Sequence, residues 1–276
     1  MGEALKSSVF VCVRGVHKML SPISLLFLCL PAFAQVWRNV SLSTGVALST
    51  LFSGAPLGHG TRTVLFLHGF PEGAYTWWPV LSSGAFPSSY TLVAPDQRGY
   101  NRSVAAGGSS DDALSVPLLA SDIFALIDFL GGKVDLVAHD WGGGVAFWVA
   151  AASPERLFSL SVVNMCHPSG WIEGVRSVPA QQAASAYVLT FIKPGFAAYL
   201  TADDCAELKG WFSGEPFWPA LNDSLLSAWR VPGSVDRGLG CVFPAQRTST
   251  PPSLTRTPQR SLSTGGTAPT STQSAP

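Results

Sequence analysis

The chain has 276 residues, and its 17 basic and 17 acidic side chains give a formal net charge of zero. This balance argues against nucleic-acid binding or attachment to a membrane surface through bulk positive charge. Hydrophobic residues make up 47% of the chain and include nine Trp and 16 Phe, which is enough to fill a sizeable core and excludes disorder throughout. Five Cys in this length are too few for a disulfide scaffold.

Residues 1–34 have the layout of a signal peptide or an N-terminal anchor. Arg14 and Lys18 precede an uncharged apolar stretch that ends in Ala-Phe-Ala, an A-x-A cleavage pattern. The stretch is too short to span a bilayer as a stable helix, and Met19 is a second candidate start. We therefore expect the secretory pathway or membrane association, the latter only if the leader stays uncleaved, and otherwise a cytoplasmic protein.

Short apolar runs alternate with helical patterns between residues 35 and 168. The runs are residues 63–68, 90–94, 134–138 and 160–163. Continuous apolar runs are typical of parallel strands that are covered on both faces. Residues 118–130 place apolar side chains on one stripe of a helix, and residues 142–152 predict a helix of small residues. This alternation predicts an α/β fold, with a mostly parallel sheet flanked by helices.

The chain changes character after residue 168. Residues 169–240 are rich in aromatic residues and compatible with helix, which predicts a partial helical lid. Residues 241–276 are rich in Ser, Thr and Pro, and from Phe243 onwards they contain no acidic residue, Trp or Tyr. Such a segment cannot bury enough apolar area to offset its chain entropy, so we expect a disordered tail.

The strongest chemical signal lies between the third apolar run and the following helix. The sequence Val-Ala-His-Asp-Trp-Gly-Gly at residues 137–143 has the layout of a nucleophile elbow, whose central residue sits on a strained strand-to-helix turn. The central residue is Asp140, and a carboxylate there can attack carbon and form an ester. An ordinary helix N-cap is the alternative interpretation. Gly142 lets the turn close, and His139 adjoins the nucleophile.

Two loops follow other predicted strands. His68, Gly69, Phe70 and Pro71 form the first loop, which could direct backbone N–H groups at a developing negative charge; its Phe–Pro bond is a candidate for the cis isomer. The second loop is residues 96–103, in which we expect its Asp and Arg, residues 96 and 98, to form a structural ion pair.

These segments together resemble the α/β-hydrolase superfamily, and they are most similar to its epoxide hydrolases. The resemblance rests on LFLHGFPEGAYTWW at residues 65–78, APDQRGYNRS at 94–103 and LVAHDWGGG at 136–144, and it extends over about residues 36–231. It implies the α/β-hydrolase fold with a helical lid, and a small hydrophobic epoxide as substrate. It also implies that Asp140 opens the epoxide ring to an ester, which water converts to a vicinal diol.

The resemblance assigns further roles residue by residue. The backbone N–H groups of Phe70 and Trp141 would form the oxyanion hole. Tyr187, by its spacing to Pro194-Gly195, matches one of two lid tyrosines that donate hydrogen bonds to the epoxide oxygen. His167 matches a histidine that lines the cavity in the family, while the general base lies later in the chain.

The pattern departs from the family after the lid. The family continues with two strands, one followed by an acid and the other by the catalytic His, but no His follows His167 here. The resemblance therefore predicts a C-terminally truncated relative that lacks the last two strands and leaves an apolar sheet edge, which favours aggregation. Ester hydrolysis would lose general-base assistance, worth about 10²–10⁴-fold.

Three alternatives remain on sequence grounds. A haloalkane dehalogenase also uses a carboxylate nucleophile, often followed by Trp, whereas a serine esterase is disfavoured because Asp140 replaces Ser. A non-catalytic binding protein would keep the pocket without turnover. The spacing of His and Cys implies neither a metal nor an organic cofactor, and we expect no nucleic-acid partner. Cys166, Cys205 and Cys241 leave an odd thiol after removal of the leader.

Overall fold

The computed structural model describes residues 35–105, 115–215, 218–232 and 234–242. The predicted leader, residues 1–34, and residues 243–276 of the predicted tail lie outside these ranges. None of the helices within the ranges is long and apolar enough to cross a membrane. The strands are β1 (Val36–Ser41), β2 (Val46–Gly54), β3 (Arg62–Leu67), β4 (Tyr90–Pro95), β5 (Val104–Ala105), β6 (Val134–His139) and β7 (Leu157–Val163). The helices are α1 (Trp78–Ser82), α2 (Val116–Phe129), α3 (Trp141–Ala152), α4 (Pro168–Ser177), α5 (Pro179–Ala184), α6 (Val188–Phe191), α7 (Phe196–Phe212), α8 (Trp218–Trp229) and α9 (Ser234–Val242).

The strands form one sheet in the order β1-β2-β4-β3-β6-β7, with β5 beside β2. The four predicted strands are β3, β4, β6 and β7, and they pair in parallel. Leu65 at the centre of β3 lies opposite Val93 of β4 and Leu136 of β6. Strands β1, β2 and β5 are antiparallel additions that the sequence analysis did not predict. Their signal is weak because Ser and Thr interrupt the apolar residues of β2.

Helices cover both faces of the sheet, which explains the continuous apolar runs. On one face, Leu119, Ile123 and Leu126 of α2 pack with Val145 and Val149 of α3 in the larger core cluster. The other face holds a second cluster built around the Phe66, Trp77 and Leu81 side chains. The predicted stripe on α2 is therefore the face that enters the core. Burial of this kind contributes roughly 1.5–3 kcal/mol for each large aliphatic side chain.

Helices α4–α9, which we call the lid helices, occupy residues 168–242 and have an apolar cluster of their own. This cluster includes Phe196, Leu200, Leu208, Leu225 and Trp229. The Phe70 side chain, from the loop after β3, packs against both this cluster and the larger core cluster.

Strand β7 lies at one edge of the sheet. Within the described ranges it pairs only with β6, and Phe158 and Val163 on it are 50% and 43% exposed. Strands β3 and β6, by contrast, are neighbours in the interior of the sheet. Because parallel strands end at the same edge of a sheet, the loops after β3 and β6 are brought together there. These two loops carry the predicted site.

Candidate active site

Asp140 forms the turn between β6 and α3. Its backbone has φ 48° and ψ −126°, a conformation that is strained for any residue with a Cβ and that is found at functional sites. Asp140 is the residue that precedes α3, but its side chain makes no capping hydrogen bond, the contact that the ordinary N-cap interpretation requires.

Glycine is required where the two loops meet. A Cβ added to Gly69 would lie 2.4 Å from Asp140 Oδ1, and one added to Gly142 would lie 2.5 Å from the carbonyl oxygen of His68. Both distances are far shorter than a normal van der Waals contact. Gly69 and Gly142 thus allow the backbone of the β3 loop to approach the Asp140 turn.

Two backbone N–H groups point at the Asp140 carboxylate. The Phe70 N–H donates to Oδ1 at 2.9 Å, and the Trp141 N–H also hydrogen-bonds the carboxylate. The Phe70–Pro71 peptide bond is cis, as the loop sequence had indicated. Phe70 and Trp141 are the residues that the resemblance assigned to an oxyanion hole, and their N–H groups converge on one carboxylate.

The electrostatics of this site raise the pKa of Asp140. Burial is the largest cause and the negative charge of Glu72 adds to it, whereas the hydrogen bonds from Phe70 and Trp141 and the charge of His139 oppose it. The two N–H donors limit the effect of burial because they stabilise the ionised form. Asp140 is therefore a half-buried carboxylate whose charge is stabilised by backbone N–H dipoles.

The His68 side chain stabilises the loop that follows β3. Its ring is fully buried, its Nε2 accepts the Gln97 N–H at 3.0 Å, and its Nδ1 lies 2.8 Å from the Gly69 carbonyl. These contacts require the neutral tautomer with the proton on Nδ1, and burial lowers the pKa of His68 to about 4. The side-chain amide of Gln97 also donates to the His68 carbonyl at 2.6 Å. His68 is thus a structural support and does not contact the cavity.

Glu72 is a site residue that the sequence analysis missed. Its Oε2 accepts the Gly69 N–H at 3.0 Å and lies 3.1 Å from His139 Nδ1. Burial opposes both charges, but the mutual attraction outweighs it, so the pKa of Glu72 is lowered and that of His139 is raised. Both members of the pair act electrostatically on Asp140: the Glu72 charge raises its pKa and the His139 charge lowers it. A Glu after His-Gly-Phe-Pro gave no signal, because loop glutamates are usually solvated.

An apolar cavity of about 230 Å³ opens in front of Asp140. Its lining residues are Phe70, Pro71, Asp140, Trp141, Met165, Trp171, Tyr187, Val188, Phe191, Trp211 and Phe212. Tyr187 is 58% exposed, and partial burial together with the Asp140 charge raises the pKa of its hydroxyl. The lid helices therefore bring Tyr187 to the same cavity as the elbow residues.

His167 does not line this cavity. It is an exposed residue at the start of α4, where Nδ1 accepts the Ser169 N–H at 3.3 Å and the ring packs edge-to-face on Phe147. The resemblance had implied a lining residue, and the beginning of α4 instead directs the side chain to the surface.

The expected ion pair within residues 96–103 is wrong. Arg98 forms a bidentate pair with Asp122 of α2, at 2.6 and 2.7 Å, with both side chains buried. Asp96 instead accepts the Ala74 N–H at 2.8 Å and the Asn101 side-chain amide at 2.7 Å. Burial raises the pKa of Asp96 to about 6. The prediction relied on proximity in sequence, but the turn directs the two side chains toward different partners.

No group of three or more His, Cys, Asp or Glu side chains with metal-binding geometry occurs in the part of the chain that the structure describes. Cys166 and Cys205 are both free thiols, the first exposed and the second buried.

Three comparisons with known proteins bear on this arrangement. The sequence model of the α/β-hydrolase fold matches residues 62–185. Epoxide hydrolase 4 of Mus musculus is 36% identical over 158 residues, which is 56% of this chain and 43% of that protein. The AB hydrolase superfamily protein YfhM of Bacillus subtilis is 32% identical over 182 residues, or 62% of this chain and 61% of that protein.

A solved structure of an epoxide hydrolase from Bacillus megaterium, a mutant complexed with its naphthyloxy-propanediol product, superposes with a TM-score of 0.65. It is 28% identical, and the match covers 74% of this chain and 70% of that one. The chain spans less than half the length of the mouse relative that it matches. With the elbow geometry, these likenesses lead to one conclusion: this chain has the α/β-hydrolase fold, and the relatives and solved structures that it resembles include epoxide hydrolases.

Proposed function

We propose that the chain opens small hydrophobic epoxides through covalent attack by Asp140. The observation that carries the proposal is the placement of this carboxylate, which is bound by the Phe70 N–H at 2.9 Å and lies on the wall of an apolar cavity that Tyr187 also lines. Relatives named as epoxide hydrolases support it, and the Bacillus megaterium enzyme holds a vicinal diol product.

In the first step, a carboxylate oxygen of Asp140 forms a bond to an epoxide carbon and the ring C–O bond breaks. The electron pair of that bond goes to the epoxide oxygen, which takes up a proton. Tyr187 is the donor that we assign to this oxygen, because its hydroxyl shares the cavity with Asp140. The product of this step is an ester between Asp140 and the opened substrate.

In the second step, water adds to the carboxyl carbon of the ester. The negative charge that develops on the carbonyl oxygen is stabilised by the Phe70 and Trp141 N–H groups, and the ester C–O bond then breaks to release the diol. This step needs a base to take the proton from water. Because no His follows His167 in this chain, we propose that hydrolysis is slower than alkylation and that the ester accumulates.

A haloalkane is the second candidate substrate. Trp141 favours it, because Trp141 lines the cavity and an indole N–H can stabilise a departing halide. In that case Asp140 would displace halide from carbon, and no proton donor for an epoxide oxygen would be needed. Tyr187 therefore distinguishes the candidates. A third outcome, binding without chemistry, would leave both substrate classes intact.

The test is a parallel pre-steady-state assay of the purified chain with styrene oxide and with 1-chlorohexane. We expect a burst of epoxide consumption close to one equivalent, followed by slow diol release, with no chloride release from the second compound. Asp140→Asn is the control and should abolish the burst. Chloride release alone would support the dehalogenase alternative, and no reaction with either compound would overturn the proposal. Rapid steady turnover without a burst would overturn the proposed slow hydrolysis.

The pH dependence of the burst follows from the pKa of Asp140. Attack requires the ionised carboxylate, so the rate falls as the pH drops through the pKa of this group. Since that pKa is raised, the fall should begin at a higher pH than for an ordinary Asp. A burst rate that is constant down to pH 4 would contradict the burial of this carboxylate.

A further inference from the structure

The last residue of α8 reaches into the loop that carries the oxyanion N–H. Trp229 is 3% exposed, and its indole N–H donates to the Pro71 carbonyl oxygen at 2.7 Å, across 158 positions of sequence. This distance is at the short end of the range for N–H···O hydrogen bonds. The contact joins a lid helix directly to the residue that follows Phe70.

Phe70 is held by the lid helices through its ring as well. The ring packs against the apolar cluster that contains Trp229 and lies 5.7 Å, centroid to centroid, from that of Phe191. A Cβ on Gly238 of α9 would approach the Phe70 ring to 3.2 Å, so α9 also lies close against this residue. One side of the loop therefore faces Asp140, and the other side faces the lid helices.

The other hydrogen bonds of the loop involve His68, Gly69, Phe70 and Glu72. Pro71 has no N–H to donate, and the loop closes on itself through the Glu72 N–H, which donates to the Gly69 carbonyl at 3.1 Å. The Pro71 carbonyl lies two peptide units beyond the Phe70 N–H, and the proline ring fixes the φ angle between them. Its orientation therefore constrains the peptide plane that directs this N–H at Asp140 Oδ1.

We infer that Trp229 is a positioning residue of the oxyanion hole: its hydrogen bond to the Pro71 carbonyl holds the Phe70 N–H in line with Asp140 Oδ1. The inference rests on the proposed function and extends it to the lid helices. The Phe70 N–H is needed most when negative charge develops on the ester carbonyl oxygen. Loss of the Trp229 bond should therefore slow ester hydrolysis more than it slows alkylation.

The variant Trp229→Phe removes the indole N–H and keeps an aromatic ring in the buried site. Alkylation and ester decay are followed separately by intact-protein mass spectrometry after a pulse of styrene oxide. We expect ester decay to slow about 10-fold, less than the 10²–10³-fold cost of deleting an oxyanion donor, while alkylation changes less than about 3-fold. Trp148→Phe is the matched control, because Trp148 lies exposed on α3 away from the loop; neither rate should change.

A spectroscopic arm tests the positioning without any substrate. In protein labelled with ¹⁵N-phenylalanine, the Phe70 amide proton should resonate downfield because it donates to a carboxylate, and Trp229→Phe should move it upfield. If Trp229→Phe does not fold, Trp229→Leu takes its place, since it also removes the indole N–H and keeps an apolar side chain in the cluster, and it should shift the same amide. An unshifted Phe70 amide in a folded variant, or equal slowing of both chemical steps, would overturn the inference. If the parent chain forms no ester, the proposed function fails, and the amide shift alone decides the positioning role.

Discussion

The two walls of the cavity differ in how they are built. On the core wall, formed by the β3 loop and the Asp140 turn, buried polar groups are satisfied within the protein: Phe70 donates to Asp140, and Glu72 accepts from both Gly69 and His139. On the lid wall, aromatic side chains dominate. Tyr187 and Phe191 pack edge-to-face, with ring centroids 5.2 Å apart, and Phe191 stacks with Trp211.

This difference separates two tasks. A developing charge needs fixed dipoles in a site shielded from water, and the core wall supplies them from buried backbone. An apolar substrate needs shape and contact area, and aromatic rings supply these without directional bonds. We therefore expect substitutions in the core to have large effects on folding and chemistry, and substitutions in the lid helices to have smaller ones.

The largest expected effect comes from the buried ion pair between Arg98, in the loop after β4, and Asp122 of α2. Asp122→Asn removes the carboxylate charge that the Arg98 guanidinium pairs with, and breaking a buried pair in this way costs about 3–5 kcal/mol of unfolding free energy. The lid helices offer a matched control, Asp204→Asn, since Asp204 pairs with Lys209 and Arg230 at the surface. Chemical denaturation should show a large loss for the first variant and none that is resolvable for the second. Equal losses would contradict the comparison.

The second-largest expected effect is on the burst rate, and it comes from adding a methyl group where the β3 loop contacts the Asp140 turn. Gly69→Ala places a Cβ within 2.4 Å of Asp140 Oδ1, so the carboxylate must move, and a misplacement of about 1 Å costs roughly 10²-fold in rate. The burst rate with styrene oxide measures this loss. Gly144→Ala is the control, because an added Cβ there meets nothing within 4 Å. An unchanged burst rate in Gly69→Ala would show that Asp140 is not confined by this loop.

Removal of the lid hydroxyl should have a smaller effect. Tyr187→Phe keeps the ring and deletes the hydroxyl that we propose as the proton donor to the epoxide oxygen. A general acid commonly contributes about 10²–10⁴-fold, but Tyr187 is more than half exposed and water can replace its hydroxyl, so we expect alkylation to slow about 10-fold. Tyr199→Phe, on an exposed part of α7 outside the cavity lining, is the control. A loss as large as that of Gly69→Ala would place essential chemistry on the lid wall.

The smallest expected effect is on the pKa of His139. The Glu72 and His139 pair stabilises the fold between the lowered pKa of Glu72 and the raised pKa of His139, and this contribution is lost as the pH leaves that window on either side. In Glu72→Gln the Glu72 charge is gone, while burial still lowers and the Asp140 charge still raises the pKa of His139, so this pKa should fall relative to the parent chain. An NMR titration of the His139 ring measures it, and Glu155→Gln at the surface should leave it unchanged. A His139 pKa that does not fall in Glu72→Gln would assign it another partner.

Much of the core wall could be predicted from sequence, because local patterns determine it. The apolar runs at β3 and β6 fix where the strands end, and parallel pairing then brings Phe70 to Asp140. Glu72 and the Arg98–Asp122 pair could not be predicted, because each depends on which distant side chain the fold places opposite. The exposed position of His167 was missed for the same reason: the way that α4 leaves the sheet decides it, and no local pattern encodes that direction.

The central claim is that Asp140 is the nucleophile, and the most direct measurement is the site of covalent attachment. Protein incubated with styrene oxide, quenched in acid and digested, is mapped by tandem mass spectrometry. The account predicts an adduct with the full mass of the epoxide on the peptide that contains Asp140, absent from the Asp140→Asn variant. An adduct on Glu72 or another carboxylate, or none while diol is formed, would contradict it.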